Sequence, residues 1–198
     1  MTHYRPITQR APAFAKTAQV TAMLLLCGAV ASAQAVRNTS YVLSSGERVL
    51  RHEGELEAPL DTVWRTLTTS DGLRSFLAPV ASIDLRLGGH WEASYSASAR
   101  LGDPDNIINE ILSYIPREML AVRVIQATRN FVHPKIVKQV WTVYQLQPLG
   151  ETRTKLVVSM IGWPSGPAAD SVYQFFERGN AYTMRELQQR FVIGPHHW

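Results

Sequence analysis

The sequence predicts an α+β domain in which one curved, seven-stranded antiparallel sheet wraps a long C-terminal helix. Three observations carry that expectation. Seven stretches between residues 48 and 161 alternate apolar and polar side chains with the period of a half-buried strand. The last six follow one another through short turn-rich connections, which makes them antiparallel neighbours in a meander. After Trp163-Pro164-Ser165-Gly166-Pro167 the period changes. Val172, Phe176, Gly179, Asn180, Thr183, Leu187 and Phe191 recur at three and four, the stripe of a helix of about six turns over 168–192.

The first 33 residues are set apart by charge and composition. They carry Arg5, Arg10 and Lys16 and no acid, then an apolar run from Ala18 to Ala31, then Ala31-Ser32-Ala33. A charged region, a hydrophobic region and small residues at the cleavage positions are the order of a secretory signal. Cleavage is expected after Ala33, with Ala35 as the alternative, and the mature protein is expected to be periplasmic or secreted. The apolar run is about fourteen residues against the roughly twenty of a spanning helix, so no membrane span should persist after cleavage; an uncleaved anchor is the competing reading. Leu26 before Cys27 argues against lipoprotein processing.

Residues 34–47 are polar and aperiodic and read as a flexible N-terminal segment. From there to residue 193 the chain reads as one domain. Leu50, His52, Gly54 and Leu56 share one face of the first strand, and Arg51, Glu53 and Glu55 the other. Pro59 ends it and suits the start of a helix, Leu60 to Thr68. Ser70-Asp71 offers a cap for a second short helix ending before Pro79. Strands then follow around Ile83–Leu87, Trp91–Ala97, Ile107–Ile115, Leu120–Val124, Val140–Gln147 and Lys155–Ile161, with a longer loop at 128–134. Residues 194–198 form a mobile tail beyond Gly194-Pro195.

Composition excludes several function classes. The net charge of +4 suggests nucleic acid, but the N-terminal 33 residues hold most of it. The remainder carries 17 basic and 16 acidic residues with no basic run, so no nucleic-acid footprint is present. The one cysteine lies inside the signal, which leaves no disulfide framework and no thiol nucleophile. No histidine pair has metal-ligand spacing. No Gly-rich phosphate loop opens a helix, and no Gly-x-Ser-x-Gly elbow occurs. No cofactor is expected.

The order of elements and several motifs resemble the START-like (SRPBCC) superfamily with the helix-grip fold, and its AHSA-type branch, named after a chaperone-ATPase activator. The residues that carry the likeness are Ala58-Pro59, Val63-Trp64, Asp71-Gly72-Leu73, Ile83-Asp84-Leu85-Arg86, Gly88-Gly89-His90-Trp91, Pro116-Arg117 and the hairpin at 148–153. They span about Arg48 to Phe191. The resemblance implies a hydrophobic cavity between sheet and last helix, with Trp91 and Tyr95 pointing inward. Phe76 stands where the family commonly has Trp, near the cavity mouth.

Tyr144 shares its face with Thr142 and Leu146, Met160 with Leu156 and Val158, and Phe176 and Asn180 lie on the helical stripe. Phe76, Trp91, Tyr95, Tyr144, Met160, Phe176 and Asn180 are therefore the candidate ligand-binding residues; plain core packing is the competing reading for each. Asn180 and Thr183 are unusual for a dry core, because an unpaired buried amide costs roughly 1–3 kcal/mol. Gly179 costs a helix about 1 kcal/mol against alanine, which suggests close backbone approach. His52, Tyr144 and Glu110 are the only set that could perform acid–base chemistry; for His52 a core histidine bonded to a carbonyl is the blander reading. Trp141, Val143, Val157 and Ile161 make the outer sheet face apolar, a candidate homodimer contact.

Three functions follow as expectations: a carrier of a small hydrophobic or amphipathic ligand, a polyketide cyclase-like enzyme using the same cavity, and a chaperone-interaction domain.

Overall fold

The computed structural model describes residues 35–198. The signal expected over 1–33 lies outside the described residues. Two short strands, β1 (Arg37–Asn38) and β2 (Tyr41–Val42), precede β3 (Arg48–Leu56). The helices α1 (Leu60–Thr68) and α2 (Ser70–Arg74) follow. Then come β4 (Val80–Ile83), β5 (His90–Ser94), β6 (Ile107–Ile115) and β7 (Met119–Gln126). A short helix α3 (Pro134–Val137) leads into β8 (Trp141–Pro148), β9 (Thr154–Ile161) and the 26-residue α4 (Pro167–Val192).

Six of the seven expected strands are β3 and β5 to β9; the strand expected around Ile83–Leu87 is corrected, because β4 ends at Ile83 and the chain then turns, with Arg86 N bonded to Asp84 O and Gly89 N to Arg86 O. Strands β3 to β9 pair antiparallel in the order β3-β9-β8-β7-β6-β5-β4, a meander whose last strand returns to the first. With the long α4 after the sheet, this is the α+β helix-grip arrangement.

Three further details differ from expectation. Residues 34–47 contain β1 and β2, both antiparallel to β3, with Arg37 opposite Glu53 and Tyr41 opposite Val49. The outer edge of β3 would otherwise present unpaired backbone groups, and these two-residue strands satisfy part of it; one further bond runs from Thr39 N to Arg51 O at 2.8 Å. The cap of α2 is Thr69, whose hydroxyl accepts from Gly72 N at 3.1 Å, while Ser70 Oγ accepts from Ile83 N. The 128–140 connection holds α3, four residues long and too short for its period to be seen.

Gly72 shows why α2 can fold back against α1: a Cβ there would lie 2.4 Å from the Thr66 carbonyl oxygen. The tail docks too. His196 N donates to Ser75 O at 2.9 Å, His196 Nε2 lies 3.1 Å from Glu186, and the Trp198 indole donates to Arg74 O.

Apolar burial falls into two clusters. The larger joins Leu56, Ile111, Leu120 and Leu156 of the sheet to Val63, Leu67 and Leu73, and to Met184 and Leu187 of α4. The smaller joins Leu50, Val140 and Met160 to Trp163 and Val172. So α4 is anchored near each end, and its middle lies between the two packed regions. On the outer face, Glu53 is buried under β1, where Lys155 and Arg51 pair with it. The hydrogen bond from the Lys155 ammonium holds the Glu53 carboxyl below the usual carboxylate range, against the opposing effect of burial.

Candidate functional site

The unfilled middle of α4 faces a cavity of about 440 Å³ over the inner side of the sheet. Its floor comes from alternate residues of the strands: Trp91 and Ala93 on β5, Asn109 on β6, Thr142 and Tyr144 on β8, and Leu156, Val158 and Met160 on β9. Leu67, Phe76 and Leu77 close one side, and Phe131, Val137 and Val140 line another. Above it stand Phe176, Gly179, Asn180 and Thr183. Gly179 faces this gap. A Cβ added there would meet no atom within 4 Å, so the expectation of close backbone approach is corrected: the glycine leaves open space.

Among the described residues that line the cavity, none is Asp, Glu, Lys, Arg or His. The polar side chains among them are amides, hydroxyls and one indole. Trp91 and Tyr144 stack at a tilt, with ring centroids 5.6 Å apart. The Trp91 indole N–H is buried and has no hydrogen-bond partner. Burial pushes the Tyr144 phenol well above its ordinary range, with Tyr95 adding to the shift, so it is a neutral hydroxyl at physiological pH. Asn180 Nδ2 donates to Met160 Sδ at 3.2 Å, a weak acceptor that leaves much of the amide's bonding capacity unused.

All seven residues expected to bind ligand line this cavity: Phe76, Trp91, Tyr95, Tyr144, Met160, Phe176 and Asn180. Tyr95 sits at the mouth, 64% exposed, because β5 ends at Ser94 and the chain leaves the sheet there. The acid–base set does not assemble in the cavity, since only Tyr144 of the three lines it. Glu110 follows cavity-facing Asn109 and so points to the other face, where it accepts from Arg123 Nη2 at 2.8 Å. His52 is buried on β3 opposite Asn38 and Val158, with Glu177 and Arg185 of α4 near enough to act on its charge. Its Nδ1 has no partner. Among the described residues no group of three or more His, Cys, Asp or Glu side chains could hold a metal ion.

Several lining residues were not singled out from the sequence. Asn109 carried a usable signal, its parity with Ile107 and Ile111. Phe131 comes from a loop, and Phe175 and Tyr182 come from the flank of α4 rather than its apolar stripe, so period could not reveal them.

His52 yields a prediction about pH. Burial lowers its pKa, with Arg185 adding to the effect and Glu177 opposing it. The unfolded chain therefore takes up a proton near pH 6.5 that the folded chain accepts only at lower pH. The stability due to the neutral imidazole is complete above that pH and declines below it, down to the folded pKa. Urea midpoints measured from pH 7 to pH 5 should fall for the natural chain and fall less for His52→Met. Equal slopes for the two chains would contradict this.

A sequence profile of the family described as "Activator of Hsp90 ATPase homolog 1-like protein" matches residues 57–191. The search of curated proteins found no match. Among solved structures, the Aha1 dimer from Colwellia psychrerythraea is 16% identical with a TM-score of 0.57, covering 74% of this chain and 97% of its own. CalU16 from Micromonospora echinospora is 17% identical with a TM-score of 0.56, covering 83% and 88%. PFC0360w, an HSP90 activator from Plasmodium falciparum, is 16% identical with a TM-score of 0.53, covering 73% and 94%. At these identities the likeness establishes the fold.

Proposed function

We propose that this chain, which belongs to the Activator of Hsp90 ATPase homolog 1-like family, is an exported carrier of a small, uncharged, hydrophobic or amphipathic molecule held between the sheet and α4. The observation that carries this reading is that no described residue lining the 440 Å³ cavity carries a charged side chain. That volume is within the usual range for small-molecule sites, about 300–1,000 Å³. An ionised ligand would lose its hydration there with no countercharge to replace it, a cost of several kcal/mol. A neutral apolar one gains roughly 25 cal/mol for each Å² it buries. The Tyr144 hydroxyl and the Asn109 and Asn180 amides would orient its polar end.

Export is supported by the residue order of the first 33 positions. It would separate the chain from a cytosolic chaperone and its ATP, which weakens the chaperone-activator reading that the family's description suggests. The cyclase-like reading has less support, because its acid–base set does not meet in the cavity. The outer sheet face supports a homodimer only in part. Trp141 is exposed, but Val157 is buried within the chain.

Organic extraction of the purified chain, followed by mass spectrometry, tests the carrier reading. One uncharged apolar species at near one per chain is the expected result. Neutral hydrophobic probes should raise the unfolding free energy of the emptied protein, by about 2.7 kcal/mol at a hundred times their Kd. A chain that yields no such species and gains no stability from any neutral probe would sink the reading.

A further inference from the structure

Three of the residues that line the cavity are more than half exposed, and all three are aromatic: Tyr95, Phe175 and Tyr182. They form the rim of the mouth. Phe175 meets Phe131 edge to face at 5.5 Å. Beside Phe131, Val132 is 64% exposed at the tip of the β7–α3 loop. Isolated exposed apolar residues are ordinary; a contiguous set around a cavity mouth marks an interaction surface.

The charge around this rim is mostly basic. The segment 127–139 contains Arg129, Lys135 and Lys138 and no acidic residue. On α4, Arg178 lies three residues from Phe175 and four from Tyr182, on the same exposed face. Asp105 offsets Arg129, its carboxylate 3.7 Å from the guanidinium. Lys135, Lys138 and Arg178 make no ion pair among the described residues. Aromatic rings and a valine, flanked by unpaired cations, complement a surface that is apolar within and anionic outside.

We propose that the mouth of the cavity docks onto an anionic lipid bilayer. Phe175 and Val132 insert at the headgroup boundary, Tyr95 and Tyr182 sit at the interface as amphipathic rings, and Lys135, Lys138 and Arg178 face the lipid phosphates. The docked rim opens the cavity directly toward the acyl region. The inference rests on the carrier reading for its purpose but not for its test.

The test is co-sedimentation of the full chain with phosphatidylcholine vesicles, with and without phosphatidylglycerol. The natural chain should sediment with the anionic vesicles, and less so as salt rises. A basic side chain at an anionic surface strengthens binding about fivefold, so Lys135→Glu with Lys138→Glu should weaken it at least tenfold. Neither lysine lines the cavity, so extracted ligand should be unchanged in that variant. Phe175→Ala with Tyr182→Ala should also weaken binding. Arg65→Glu with Arg86→Glu, an equal charge change away from the rim, should not. Every variant shares the N-terminal apolar run, so the differences isolate the rim. Equal sedimentation with neutral vesicles, or equal loss from the rim and control charge changes, would overturn the proposal. A chain that retains extracted ligand yet sediments with neither vesicle would also overturn it, leaving the carrier reading intact. Rim-dependent sedimentation by a chain with an empty cavity would support docking and remove the carrier reading instead.

Discussion

Leu187→Ala should lower the unfolding free energy by about 2–5 kcal/mol, read as an earlier urea midpoint with an unchanged slope. The expected loss belongs in the upper half of that range for a structural reason. Leu187 is 1% exposed and joins α4 to the larger apolar cluster. It also borders the cavity. Truncating it would extend an existing void, and α4 cannot settle inward to close that void while Met184 and Val172 hold it on either side. A helix anchored only near its ends depends heavily on each anchor. Gly179→Ala on the same helix should have the opposite sign, raising stability by up to about 1 kcal/mol, since the methyl group meets no atom within 4 Å and alanine favours the helix. A Leu187→Ala loss below about 1 kcal/mol would mean that α4 is held by something other than its apolar stripe.

The legible part of the fold is the part with a period long enough to be counted. Strands β3 and β5 to β9 and α4 each repeat their pattern over several residues, and Pro59, Gly88-Gly89 and the 163–167 breaker mark ends; the alternation over 83–87 misled, since β4 has only four residues and stops at Ile83. Strands β1 and β2 have two residues each, both exposed, so no alternation exists to read. The N-cap of α2 was ambiguous because Thr69 and Ser70 are adjacent and both are good caps; the Ser70 hydroxyl is used instead by β4.

The candidate site shows a second limit. Parity states which face of a strand a residue occupies, not where along that face it lies. It placed Tyr144 and Met160 correctly over the void. It also placed His52 on the inner face, but β3 meets α4 and β1 at that point, away from the open middle. Glu110 fails on parity itself, one residue from Asn109. The lining residues Phe131, Phe175 and Tyr182 come from a loop and from the side of a helix, where neither period applies.

Gly179→Trp should empty the cavity while leaving the domain folded. The first atom of the new side chain enters open space, and the indole then has only the void to occupy, because the stripe of α4 on either side is packed. A tenfold loss of affinity is about 1.4 kcal/mol, which corresponds to roughly 60 Å² of apolar contact denied to the ligand. A tryptophan side chain covers more than that, so extracted ligand should fall by well over tenfold. The urea midpoint should stay near that of the natural chain, since the indole recovers by its own burial what the ligand no longer supplies. Gly179→Ala separates the two effects: it removes the glycine but leaves the hollow, and should retain the ligand in full. If Gly179→Trp folds and still carries its ligand at one per chain, the molecule is bound elsewhere, and the space beneath the middle of α4 is not the site.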